Sequence, residues 1–133
     1  ELLFTNTTFS GVGDATGLPG AATAGSLYFS LHTADPGEAG DQTTSEIAYT
    51  SYARVAVARS GAGWTVTGNA VATDANVDFP AGTGGSGTAT HFGIGTASSG
   101  AGKLLYKGAI SPTIVCGSGV TPRLNAGTVV TED

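Results

Sequence analysis

"SLYFSLHTADPGEAGDQTTSE", residues 26–46, joins an alternating apolar run to a loop crowded with carboxylates. Side chains of an extended strand alternate with period two. Leu27, Phe29 and Leu31 therefore share one face, with Tyr28, Ser30 and His32 on the other, more polar one. After the run, Pro36 presets φ and Gly37 supplies the freedom that a tight turn requires. The same alternation recurs downstream. Ala53, Val55 and Val57 oppose Tyr52, Arg54 and Ala56. Trp64 and Val66 oppose Thr65 and Thr67, and Val77 and Phe79 oppose Asp78. Phe92 and Ile94 oppose His91 and Gly93. Leu104, Tyr106, Gly108 and Ile110 are expected on one face, with Lys103 and Lys107 opposite. Further strands fit "PTIVC" (112–116), "GVTPRL" (119–124) and "GTVVT" (127–131).

Glycine-rich turn signals separate these runs: "DPGEAG", "SGAG", "FPAGTGGSG", "ASSGAG", "CGSG" and "NAG". No helical period of useful length interrupts them. Short strands punctuated this regularly predict an all-β fold, an antiparallel β-sandwich of jelly-roll type with about eight short strands. At 133 residues the chain has room for one such domain, assigned to residues 25–133. Residues 1–24 read as an extended amino-terminal arm, rich in Gly, Thr and Ala with isolated apolar residues.

Charge narrows the function classes. Only 11% of residues are charged, against roughly 25% in ordinary globular domains. A Thr/Ser/Ala/Gly surface loses little side-chain entropy when covered, so it suits a chain packed against neighbours. The net charge is −5 and the fixed cations are Arg54, Arg59, Lys103, Lys107 and Arg123. These form no basic cluster, so nucleic acid is not expected as a partner. No apolar run nears the roughly 20 residues that span a bilayer, and no membrane partner is expected. Neither is a signal peptide discernible. The single cysteine, Cys116, reads as a small buried hydrophobe and fits assembly in a reducing cytoplasm.

His32, Asp35, Glu38, Asp41 and Glu46 are the one concentration of titratable groups. The spacing of Asp35, Glu38 and Asp41 does not match the alternating ligands of a calcium loop. Zinc would want several His or Cys, whereas His32 and His91 fall on different strands. No nucleophile elbow and no phosphate cradle is present. The expectation is no enzyme, no metal and no cofactor. The loop 34–46 and the arm read instead as segments ordered against a partner, with intrinsic flexibility as the alternative. The expected interface residues are Leu2, Leu3, Phe4 and Phe9 in the arm and Asp35, Pro36, Glu38 and Asp41 in the loop. A truncation beginning near Ala21 is expected to lose binding to the partner while keeping the fold.

The order of segments carries a resemblance. "LYFSLHTADPGEAG", "YARVAVARSGAGWTVTGN", "VDFPAGTGGSGTATHFGIGTASSGAGKLLYKGAIS" and "NAGTVV" together resemble a family of small tailed-phage virion proteins, over about residues 25–131. Such proteins are often labelled phage tail fibre proteins. The resemblance implies a capsid cement (decoration) protein, made in the host bacterial cytoplasm and placed on the outer capsid surface of the virion. Its implied partners are the phage major capsid protein and itself, as a homo-oligomer, with a trimer favoured over a dimer. The alternative is a tail-fibre or tail-tip module that binds a host surface glycan, for which outward-facing Tyr28 and Tyr52 are the one hint of an aromatic platform.

Overall fold

The computed structural model describes residues 2–7, 9–14, 17–18 and 23–131; side chains are described from residue 3 to 7 and from 23 onward. Among the described residues the chain is all-β apart from one helical turn, α1 (Leu2–Thr5). Two strands, β1 (Phe9–Asp14) and β2 (Gly17–Leu18), pair antiparallel within the arm. Nine more follow: β3 (Ser26–His32), β4 (Val55–Ala58), β5 (Trp64–Thr67), β6 (Ala70–Thr73), β7 (Val77–Asp78), β8 (Ser86–Gly95), β9 (Leu104–Gly117), β10 (Arg123–Leu124) and β11 (Val129–Thr131). The larger sheets run β4-β3-β8-β9 and β11-β6-β5, and β10 and β7 form a short ribbon. The pairings β3–β8, β8–β9, β5–β6, β6–β11 and β7–β10 are antiparallel. This is the all-β, antiparallel class that the alternation predicts, consistent with a sandwich.

Contacts gather the chain into two compact units. The first comprises Glu1–Leu27, Val57–Asn76 and Asn125–Asp133. Its centre is Trp64, 1% exposed, where the period-two reading places it. Phe4 lies edge-on to the Trp64 ring at 4.7 Å and is itself only 4% exposed. Arg59 holds the adjoining backbone by donating from Nε to the Leu3 carbonyl (2.6 Å) and from Nη1 to the Ala24 carbonyl (2.8 Å). The "NAG" turn is real: the Ala126 amide donates to Asn76 Oδ1 (2.7 Å) and the Gly127 amide to the Thr73 carbonyl (2.8 Å).

Phe4 therefore corrects one expectation. It was assigned to an exposed interface, but burying its ring against Trp64 satisfies its apolar surface within the chain. A truncation that removes it takes away core as well as arm.

The second unit comprises Tyr28–Ala56 and Val77–Leu124. Phe29, Leu31, Ile47, Tyr49, Val77, Phe79, Ala89, Ile94 and Cys116 form its core, each at most 2% exposed. "KLLYKGAIS" and "PTIVC", read as separate strands, are one long β9. A second difference has a clear cause. Gly95 pairs with Leu104 and Ile94 with Tyr106, so Leu105 is an extra residue in the ladder. Such a bulge reverses the alternation beyond it. Leu104 thus leaves the face of Tyr106 and lies over Gly93, on the face of Lys107.

Candidate functional site

The site is built on the polar face of the second unit's sheet. His32 does lie on that face, as the alternation predicts, yet it is fully buried, as is Ser30. The loop expected to await a partner covers them. The Thr33 amide donates to the Ser45 carbonyl (2.8 Å) and the Ile47 amide to the Leu31 carbonyl (2.9 Å), closing the loop on its own strand. Gln42 is inserted face-down with no exposure, and its Oε1 accepts from the Ala97 amide (2.9 Å). Gly95 makes that insertion possible, because a Cβ there would overlap the Gln42 side chain. The loop is ordered by its own chain.

The histidine's protonation follows from its partners. The Thr44 carbonyl, 2.8 Å from Nδ1, can only accept, so Nδ1 carries the proton. Nε2 is then the acceptor for the Ser30 hydroxyl at 2.8 Å. Burial pushes the imidazole's pKa below its ordinary value of 6.5, against the opposing pull of the Thr44 carbonyl and Glu46. Ser30 and His32 have the spacing of a nucleophile and its base. However, the third group is a backbone carbonyl and both side chains are sealed from solvent. Their arrangement positions the loop and offers a substrate no approach.

Beside them lies a polar network that sequence reading missed. Arg54, 3% exposed at its side chain, grips Glu46 with Nε (2.7 Å) and Nη2 (2.8 Å). The same guanidinium donates to the carbonyls of Ala97 (2.9 Å) and Gly100 (2.8 Å), so one side chain ties two loops together. Tyr52 accepts from the Leu31 amide (3.1 Å) and donates to Glu46 (2.8 Å). Burial, helped by the Glu46 bond and opposed by the Leu31 amide, raises its phenol pKa well above the usual range. Its ring is stacked on Phe79. Tyr52 is thus half-buried and held by its own chain, where the sequence offers it as an outward platform for a glycan. The available signal was the lone arginine of "YARVAV", with Glu46 eight residues before it.

The remaining expected site residues divide. Asp35 is half-exposed and pairs with Lys107 at 2.8 Å; Glu38, almost wholly exposed, stands 3.7 Å from the same ammonium. Lys107, followed by the Gly37 amide, lowers the Asp35 carboxyl pKa. Pro36 is buried, and Gly37 takes φ +75°, the left-handed conformation that the turn reading requires. Asp41 caps its own turn by accepting from the Thr43 amide (2.8 Å) and hydroxyl (2.5 Å), which lower its pKa. Leu3 is half-buried. The side chains of Leu2 and Phe9 lie outside the described residues. The structure brings Asp35 and Glu38 together on Lys107.

Two open depressions flank this face. One of about 320 Å³ runs between the loop tip (Gly37, Glu38, Gly40) and Leu104–Lys107. The other, about 270 Å³, is lined by Glu46, Tyr52, Arg54 and Ser98–Gly100. Among the described residues no group of three or more His, Cys, Asp or Glu is placed to hold a metal ion, and no helix is long and apolar enough to cross a membrane.

The Ser30–His32 pair is thus sealed within a low-charge antiparallel module. Residues 6–132 match the family model described as "Podophage GP4 fiber I protein gp80", and the chain belongs to that family of phage virion structural proteins. No curated protein matches the chain.

Proposed function

We propose that this chain is a fibre module of the phage tail, a non-enzymatic β building block that carries a host-surface contact. The observation that carries this reading is the family match, which takes in almost the whole chain and whose description is of a fibre protein. It supports the fibre reading over the capsid-cement role that the sequence resemblance placed first. The buried Arg54–Glu46 network and the self-covered loop support it too, since both stiffen the module without a partner present. The loop-tip groove beside Leu104–Lys107 is the surface that suits a sugar. It is open, of monosaccharide scale, and flanked by a carboxylate and an ammonium able to bond hydroxyls.

Copy number in purified virions tests the assignment. Quantitative mass spectrometry against the major capsid protein should return a few to tens of copies. Cement on an icosahedral shell repeats at every seam and would be present in hundreds, roughly stoichiometric with the shell subunit. That result would overturn the fibre reading. The glycan contact is tested separately, by whether the purified protein competes with phage for adsorption to host cells.

A further inference from the structure

β9 is the last strand of its sheet, and its two halves treat that edge differently. Natural edge strands are guarded by charges, prolines and bulges, because an open row of amides and carbonyls recruits another strand. The first half is guarded by Lys103 and Lys107. Beyond it the ladder jumps from His91↔Ala109 to Ala89↔Ile114, so residues 110–113, with Pro112 among them, stand against Thr90 alone. After this irregularity the second half, Ile114–Gly117, resumes regular pairing with Ser86–Ala89 of β8 and has none of these guards. No Asp, Glu, Lys or Arg occurs from Gly108 to Pro122.

The inner side of this half is anchored: Ala89 and Cys116 are buried, and a Cβ on Gly87 would press on Ile47. Val115 consequently faces outward at 70% exposure, with exposed Thr88 opposite it in the ladder. A β-branched, uncharged, outward-facing edge is the composition that pairs with a strand.

We propose that this edge docks a second copy of the chain, with residues 114–116 of one copy antiparallel to 114–116 of the other across a two-fold axis through Val115. An antiparallel pairing of one segment with itself is self-complementary: Val115 meets Val115, and Ile114 meets Cys116. Charge also selects a copy over a foreign partner. Each chain carries −5, so two copies approach with least repulsion where neither bears charge, whereas an oppositely charged partner would seek the carboxylates. Among the described residues the other exposed large apolar side chain, Val129 at 54%, lies on β11, a three-residue strand followed in sequence by Glu132 and Asp133. The Val120 amide donates to the Gly117 carbonyl, which ends the available row. So short a contact is weak in solution and gains from the high local concentration of an assembled virion. It supplies a two-fold contact, where the family resemblance implies a trimer over a dimer.

Sedimentation velocity across micromolar to sub-millimolar concentrations tests the proposal on the full chain. The expected result is a reversible monomer–dimer equilibrium. Val115→Lys should weaken it by about tenfold or more, because two ammonium groups would meet at the axis. Val129→Lys should leave it unchanged. Circular dichroism of both variants should match the parent, since both side chains are exposed. Amide hydrogen exchange should show concentration-dependent protection confined to residues 113–117. A chain that stays monomeric throughout, a dimer indifferent to Val115→Lys, or protection mapped to another surface would each overturn the assignment.

Discussion

Replacing Arg54 by alanine removes the one cation from a buried polar cluster. The side chain is 3% exposed and its Glu46 partner 16%. Without it, Glu46 keeps the Tyr52 hydroxyl alone among the bonds described here, and the Ala97 and Gly100 carbonyls lose their donors. Removing one member of a buried ion pair costs roughly 3–5 kcal/mol, since the other charge stays desolvated and unpaired. That is a large share of a typical domain stability of about 5–15 kcal/mol. At this chain length each kcal/mol moves the melting temperature by roughly 3–5 °C, so a drop of about 10–20 °C is expected by calorimetry. The double variant Arg54→Met/Glu46→Leu discriminates between charge and packing. Removing both charges should cost less than Arg54→Ala alone, because no ion is stranded. An Arg54→Ala melt within about 1 kcal/mol of the parent, or a double variant that simply sums the singles, would refute the reasoning.

Three further outcomes follow from the same geometry. Phe4→Ala should destabilise the first unit by roughly 3–5 kcal/mol and shift Trp64 fluorescence to the red as water reaches the indole; an unchanged spectrum would return Phe4 to the surface. Gly95→Ala should displace Gln42 and cost about 1–3 kcal/mol, read as faster hydrogen exchange of the Ala97 amide, with exchange elsewhere on β8 little altered. His32 has a folded pKa below 6.5, so the unfolded chain takes up its proton first. Its stabilisation is complete above about pH 6.5 and is lost as pH falls through the folded value. The groups facing it are Ser30, Thr44, Glu46, Arg54 and His91. The carboxyls of Asp35, Asp41 and Asp78 are lowered from 3.8 and titrate further down. Melting temperatures between about pH 7.5 and 5 should fall for the parent and stay flatter for His32→Gln. Equal slopes would place the effect elsewhere.

Local rules made most of the second unit's strands legible. Val77, Asp78 and Phe79 read in–out–in and are buried, exposed and buried; Trp64 and the Pro36–Gly37 turn also stand where their chemistry puts them. Period-two reasoning failed at Leu104 because one inserted residue inverts every face after it, and nothing in "KLLY" announces the insertion. The loop's seat was hidden for a different reason. Its length and carboxylates signal a contact but do not show that it closes on the sheet it leaves, through Gly95 and Gln42, 53 positions apart.

By itself, then, the sequence determined the all-β class, the faces of strands free of bulges, the turn at Pro36–Gly37 and the scarcity of charge. Each of these depends on a residue and its immediate neighbours along the chain. The tertiary structure alone decided that Phe4 is core, that Glu46 belongs to Arg54 and Asp35 to Lys107, and that His32 is sealed from solvent. Those outcomes depend on which distant segments share a space. Burial and pairing energies are properties of that shared space, and no local pattern encodes them.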